Sequence, residues 1–413
     1  MIEPRPSVSG LEPPAIVLWN VRLYDPRTGE ATERRSIKIE QDTITAIGEA
    51  AGDPPAGIRD LGGATAVPGL IDAHAHVLSD TSRSPGFGPP PARHGEPPRP
   101  AALGHYILAA AADRMLRSGF TTVRDVGGYD DEATVLKFAI EARVVPGPRV
   151  YTCGRIVSAT GPGGELFGSM YREADGPWEM RKAVREQLRR GAEFIKFMAT
   201  GARSVVLEDP EPPQMTLEEM EAIVDEAHRM GRRVAAHAEG LEGTRLALQA
   251  GADTIEHGLA LHREPRLLDS MAERGTVLVP TLSTFHDLAE RFVDDFAPVL
   301  VDQAKRQLEE AMKTVETARR AGVTMALGYD SGPPGTSSQE LVRLMDAGLS
   351  SAEVLRAATT GGAAALGRED LGRIAVGSRA DVVVVDGRPD DDPSLLTQPS
   401  AIRLVVGRGL AVA

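Results

Sequence analysis

Two histidines two residues apart close the apolar run Pro68-Gly69-Leu70-Ile71-Asp72-Ala73-His74-Ala75-His76. Side chains on a strand repeat every second residue, so His74 and His76 face the same way. Imidazole is a common ligand for zinc and its neighbours, and two on one face can grip one ion. The plainer alternative is a pair of polar residues at a strand end. Further along, groups able to bind metal recur at the ends of other apolar runs. Lys196 lies in Phe194-Ile195-Lys196-Phe197-Met198, and His237 in Ala235-Ala236-His237-Ala238-Glu239. His257 lies in Ile255-Glu256-His257-Gly258, and Asp330 in Leu327-Gly328-Tyr329-Asp330.

Such groups act together only if one architecture brings strand ends to one place. A recurring mark of punctuation points to it: a helical stretch ends in glycine and a strand-like run follows at once. Gly119, Gly191, Gly231, Gly251, Gly275 and Gly322 stand before Phe120–Asp125, Glu193–Met198, Val234–His237, Thr254–His257, Thr276–Pro280 and Val323–Leu327. Glycine suits the left-handed position just past a helix because it has no Cβ. In the helix expected over Thr216–Met230, Leu217, Met220, Ile223, Val224 and Ala227 repeat at helical spacing, with Thr216 and Glu219 as a capping box. Helices alternating with buried strands indicate a parallel sheet, and this many units favour a closed (β/α)8 barrel over residues 68–368. The ends read differently. Ile16–Asp25, Ser36–Ile47, Gly62–Ala66, Ala380–Asp386 and Ala401–Ala413 are short strand candidates without helical period. Residues 1–67 and 369–413 are therefore expected to share a small β-sandwich.

In a barrel the strand C-termini face the active site. Lys196, flanked by Ile195 and Phe197, would lie uncharged or need a partner such as Glu193 or Glu239, because an isolated buried charge is costly. Beside four histidines and an aspartate at strand ends, a metal-ligand role fits better. A neutral lysine amine can add carbon dioxide to form a carbamate whose two oxygens bridge two cations.

These segments together resemble the amidohydrolase superfamily over essentially the whole chain, including the Gly377-Ser378-Arg379-Ala380-Asp381 return to the sandwich. Lys196-Phe197-Met198-Ala199-Thr200-Gly201 and Ala236-His237-Ala238-Glu239-Gly240 are similar to the binuclear prolidase-like and imidazolonepropionase-like group, which includes dipeptidases, ochratoxin-type amidases and phenylurea hydrolases. The resemblance implies one divalent metal held by His74, His76 and Asp330 and a second held by His237 and His257. It further implies carbamylated Lys196 and a hydroxide bridging them, with Asp330 as catalytic proton shuttle. Zinc is the default ion, with manganese, cobalt or iron compatible with such N/O sites. The implied activity is hydrolysis of an amide or peptide bond in a small-molecule substrate. A mononuclear cyclic-amide hydrolase or deaminase is the enzymatic alternative, which Lys196 argues against, and a non-catalytic scaffold protein is the other. Relatives often carry Thr-Gly-Gly-His-Gly after the third strand. Here the stretch is Thr160-Gly161-Pro162-Gly163-Gly164, and Tyr329 stands where relatives have a small residue or threonine, so dipeptide specificity stays open.

The 413 residues carry a net charge of -13, which speaks against a nucleic-acid or anionic-membrane partner. No run is long and apolar enough for a spanning helix, and the proline-rich start is not a signal peptide. The single cysteine, Cys153, excludes an internal disulfide and fits a cytoplasmic protein, with a homo-oligomer compatible. His228 and His105 read as helical. His94, His262 and His286 fall in rim loops, and Arg155, Arg203, His286 and Tyr329 are candidate substrate contacts, an arginine there being able to clamp a carboxylate. Thr81–Pro100, dense in Pro, Gly and Arg, and the helical insertion Thr284–Arg320 are expected to wall the pocket.

Overall fold

The computed structural model describes residues 15–77, 102–202, 205, 207–291, 293–294, 297–330 and 335–412. The core is a (β/α)8 barrel. Leu70–Ala75, Phe120–Asp125 and Arg149–Thr152 pair in parallel, as do Ile195–Met198, Val234–Ala238, Thr254–His257 and Val277–Val279. Past Thr152 the third strand breaks and resumes as Ile156–Ser158, which pairs with Ile195–Met198. The eighth segment, Val323–Asp330, closes the ring without a regular ladder. Leu278 N–H donates to Thr324 O (3.0 Å) and Ala326 N–H to Leu278 O (2.9 Å) on one side. Ala73 N–H donates to Leu327 O and Asp330 N–H to His74 O, both 2.8 Å, on the other.

Each glycine of the expected punctuation has positive φ, from +66° at Gly231 to +99° at Gly191. Thr216 and Glu219 form the capping box at the start of Leu217–Arg229. The strands alternate as a barrel wall must. Ile195 and Phe197 pack outward into the helix layer with Val234, Ala236 and Ile255, which leaves Lys196 on the inner face.

Both chain ends build one seven-stranded mixed sheet in the order Leu410–Val412, Ile402–Gly407, Val382–Val385, Thr65–Pro68, Ile16–Asp25, Glu30–Glu40, Thr43–Glu49. Its central valines explain how it serves two cores. Val382 and Val384 meet Leu18, Val21, Ile37, Ile39 and Ile44 inside the small domain. Val383 and Val385 face Leu70, Leu116 and Phe120 on the barrel side.

Three sequence expectations change. Ser36–Ile47 is not one strand but a hairpin that turns at Gln41 (φ 53°) and Asp42, a turn with no Gly or Asn to announce it. Ala401–Ala413 is likewise a hairpin, turning through left-handed Arg408 and Gly409. Thr284–Arg320 is no insertion: Pro298–Ala321 is the barrel's own seventh helix, ending at Gly322, and Leu282–Arg291 is the helical turn that precedes it. Thr81–Pro100 and His94 lie outside the described residues.

Where the ring closes, space for side chains vanishes. A Cβ on Gly328 would fall 2.4 Å from Val279 Cγ1 and 2.6 Å from His74 Cβ. Gly328→Ala should therefore force the eighth segment off the first, lowering stability by about 1–3 kcal/mol as overpacking does. Urea unfolding checks this, and a midpoint equal to that of the parent chain would show that the closure has slack.

Candidate active site

The first barrel strand delivers Asp72, His74 and His76 on one face, and the fifth delivers His237 and Glu239 likewise. Strand alternation alone cannot supply the rest. Glu256 and His257 are neighbours, yet both reach His74: Glu256 Oε2 lies 2.6 Å from His74 Nδ1, and the His257 ring centre lies 5.0 Å from that of His74. The left-handed backbone of His257 (φ 71°) breaks the alternation and turns its ring inward, and Asp330 (φ 56°) turns in the same way.

Five of the six expected ligands converge in a connected group. Asp330 Oδ1 is 3.3 Å from Nε2 of both His74 and His76. His257 Nε2 faces His237 Nδ1 at 2.9 Å, and His257 Nδ1 is 3.9 Å from Asp330 Oδ2. Ligand atoms of His74, His257 and Asp330 all fall within 4.8 Å of one another. Lys196 joins through its field. Burial pushes its amine below the ordinary lysine range, while Glu256 and Asp330 pull it back up. The partners the sequence offered it are committed elsewhere, Glu193 to Lys137 (2.8 Å) and Glu239 to Gln307 (3.0 Å).

Hydrogen bonds fix the ring orientations. His76 Nδ1 lies 2.7 Å from Gly127 O, His257 Nδ1 lies 2.7 Å from Thr281 Oγ1, and His237 Nε2 lies 3.1 Å from Gly201 O. Beneath His74, the Glu256 carboxylate also accepts from Arg124 Nη2 (2.6 Å) and from Thr254 Oγ1. Burial would raise the Glu256 carboxyl, but Arg124 and His74 hold it far below the carboxylate range. Burial likewise opposes ionisation of Asp330, and His74, His76 and His257 outweigh it, so this carboxyl too stays well below its ordinary value. Burial and the Lys196 charge push the His74 imidazole down, towards its neutral form.

Sequence reasoning missed the groups that brace this centre. Asp72, fully buried, accepts N–H bonds from His74 (3.1 Å) and Tyr329 (3.2 Å), and desolvation raises its carboxyl to about 6. Asp125 accepts from Val77 N–H (3.0 Å) and Thr152 Oγ1 (2.8 Å). Arg124 and Glu256 belong to the same class. Asp72 carried the signal that singled out Lys196, a charged residue inside an apolar run, whereas Arg124, Asp125 and Glu256 stand in strands with several polar residues, Phe120–Asp125 and Thr254–His257.

The substrate candidates fare unevenly. Arg155 donates from Nε to Ser169 O and from Nη2 to Tyr171 O, so its guanidinium ties down a rim loop. Tyr329 is buried, its hydroxyl 3.4 Å from Asp287 Oδ2 and pushed up to about 12 by burial. His286 lies on the Leu282–His286 turn, with Nε2 3.1 Å from Glu290. Arg203 lies outside the described residues. His262 packs against the seventh helix through Thr314 (3.1 Å), and His228 is exposed beside Asp253. Cys153 is fully buried, and burial raises its thiol well above the ordinary range.

Comparisons with known proteins place the chain among hydrolases of one fold. The chain is 30% identical over 413 residues to the ochratoxinase of Aspergillus niger, across 92% of this chain and 83% of that enzyme. It is 30% identical over 386 residues to the imidazolonepropionase of Paracoccus denitrificans, across 86% and 88%. The crystal structure of a Xaa-Pro dipeptidase with methionine bound in its active site superposes with a TM-score of 0.85 at 29% identity, over 97% of this chain and 100% of that one. Residues 65–412 match the amidohydrolase family, and the chain belongs to that family.

Proposed function

We propose that this protein is a metal-dependent hydrolase of an amide or peptide bond in a small-molecule substrate. The observation that carries the reading is the meeting of two imidazole nitrogens on one carboxylate oxygen at 3.3 Å each. That separation is long for a charge-assisted hydrogen bond, which would run about 2.7–2.9 Å. It is close to the roughly 3.4 Å between ligand atoms that each stand about 2.1 Å from one tetrahedral ion. The donor set agrees: a histidine pushed down by burial, a carboxylate held low by the imidazoles around it, and rings whose second nitrogens are already hydrogen-bonded.

In this reading His74, His76 and Asp330 would hold one divalent cation and His237 and His257 a second, with Lys196, as its carbamate, a shared ligand. When bound, such a pair lowers the pKa of a shared water and polarises the substrate carbonyl. The protein's own groups do the rest. Burial lowers the Lys196 amine, which favours the neutral form that carbon dioxide requires. Asp330, whose Oδ2 lies on the His257 side, would take the proton of the attacking water and return it to the leaving nitrogen. The Glu256–Arg124 pair keeps the His74 ring from turning, because rotation would leave a buried carboxylate short of a partner. The named activities of the relatives, on ochratoxin and on Xaa-Pro dipeptides, favour an acyl group joined to an amino acid, and zinc is the ion we expect.

Two outcomes test the centre. Elemental analysis of the purified chain should give about two ions, and Lys196→Ala should lose at least one of them together with hydrolysis, which short carboxylic acids would partly restore. One ion in the parent chain would favour the mononuclear cyclic-amide reading, and full metal content with normal turnover in the variant would exclude Lys196. Asp330→Asn should lower kcat by about two to four orders of magnitude, with less change in KM, as loss of a general base does. Near-normal kcat would place the proton transfer elsewhere, with Glu239 next in line.

A further inference from the structure

Thr281 is a β-branched residue held at φ 50°, ψ 46°, fully buried. Left-handed backbone at such a residue is costly and persists only where its surroundings over-determine it. On one side Thr281 Oγ1 lies 2.7 Å from His257 Nδ1. Four residues on, the Phe285 ring stands edge-on to the His257 ring, 6.1 Å between centres and 89° between planes. On the other side, the next two backbone N–H groups, of Leu282 and Ser283, both donate to a single carboxylate, Glu340 Oε1 at 2.8 Å and Oε2 at 2.7 Å. Glu340 stands on the short helix Gln339–Asp346 and is completely buried.

A buried carboxylate is costly, and nothing in the chemistry proposed above uses this one. Its bonds go to consecutive amides at the start of a turn, a bidentate arrangement that fixes the orientation of the turn as well as its position. We propose that Glu340 is a positioning residue of the active site: by pinning the Thr281–Ser283 turn it holds the Thr281 hydroxyl and the Phe285 ring against the His257 imidazole. The ring is thereby set from behind, as Glu256 sets His74 and Gly127 sets His76. This inference rests on the reading of His257 as a metal ligand.

Glu340→Gln keeps the volume but turns one acceptor into an NH2 facing a backbone N–H. The zinc-loaded full-length protein is titrated with a competing chelator, and the zinc remaining bound gives Kd. The weaker zinc site should lose roughly 10- to 100-fold in affinity, the usual size of an effect exerted through a ligand's supporting bonds, and kcat should fall more than KM rises. Thr281→Val, which removes only the hydroxyl, should weaken zinc in the same way, and the double variant should cost no more than the larger single change. Ile37→Ala, in the core of the small domain, reports what lost stability alone does to zinc binding. Unchanged zinc affinity in Glu340→Gln would overturn the proposal, as would equal weakening in Ile37→Ala at a matched Tm. If Glu340→Gln does not fold, Thr281→Val decides alone, and unaltered zinc binding in it overturns the proposal. Retention of both ions by His257→Ala would instead overturn the ligand reading, a result that these variants cannot mimic.

Discussion

Glu256 carries a carboxylate into the closed interior of a barrel, where an ion without partners would cost several kcal/mol. Its solution ties the molecule together across the ring. Arg124 on the second strand supplies the counter-charge at 2.6 Å and reaches back to Thr254, while His74 on the first strand takes the other oxygen at 2.6 Å. Three strands far apart in sequence are thus held in one register. The imidazole at the top of this chain of contacts is then offered to the site with one nitrogen already committed. Removing Arg124 or Glu256 would leave the other buried without its counter-charge, a costly loss that makes this pair a fixed point of the barrel interior.

The same device recurs wherever a strand gives way to the rim. Asp72 takes the amides of His74 and Tyr329, Asp125 that of Val77, and Glu340 those of Leu282 and Ser283. At these places the backbone leaves its regular path, at His257, Thr281 and Asp330 through left-handed φ. Strain of that kind relaxes unless something opposes it, and a buried carboxylate accepting consecutive amides is a stiff opponent. Burial raises the carboxyls of Asp72 and Glu340, to about 6 and about 8, whereas Arg124 and the histidines hold Glu256 and Asp330 low.

How much of this could be read from the chain follows from which rules are local. Period-two alternation placed His74 with His76 and left Lys196 alone among outward-facing neighbours, and glycine at helix ends marked six of the eight units. These signals need only a few residues of context. His257 was assigned to the site through its company rather than its geometry, since alternation would have sent it outward from Glu256. Gly258 follows it, but the residue that adopts positive φ and turns the ring is the histidine itself. Arg124, Glu256, Asp72 and Glu340 were overlooked because their meaning depends on partners up to 257 residues away, as for Asp72 and Tyr329. The Gln41-Asp42 hairpin escaped for a different reason: its turn is imposed by pairing of the flanking strands and not by turn-forming residues.

A centre braced this thoroughly has little freedom left with which to choose substrates. Choice must come from walls that can vary without disturbing the metal ligands, and the rim shows where such variation is tolerated. The Thr160-Gly161-Pro162-Gly163-Gly164 stretch, which lacks the histidine found in similar sequences, is packed by Glu208 and Glu173. Gly163 N–H donates to Glu208 Oε1 at 2.7 Å, Gly161 N–H to Glu173 Oε1 at 3.2 Å, and Ala202 N–H to Glu208 Oε2 at 2.8 Å. A Cβ at Gly164 would fall 2.1 Å from Glu173 Oε1, so even alanine there would have to displace a brace. Beside this loop Phe167, Tyr171, Met198 and Val205 pack into one buried apolar cluster. The loop is thus held by two carboxylates and an apolar cluster of its own, so a change there alters the rim without touching any of the residues that converge on Asp330.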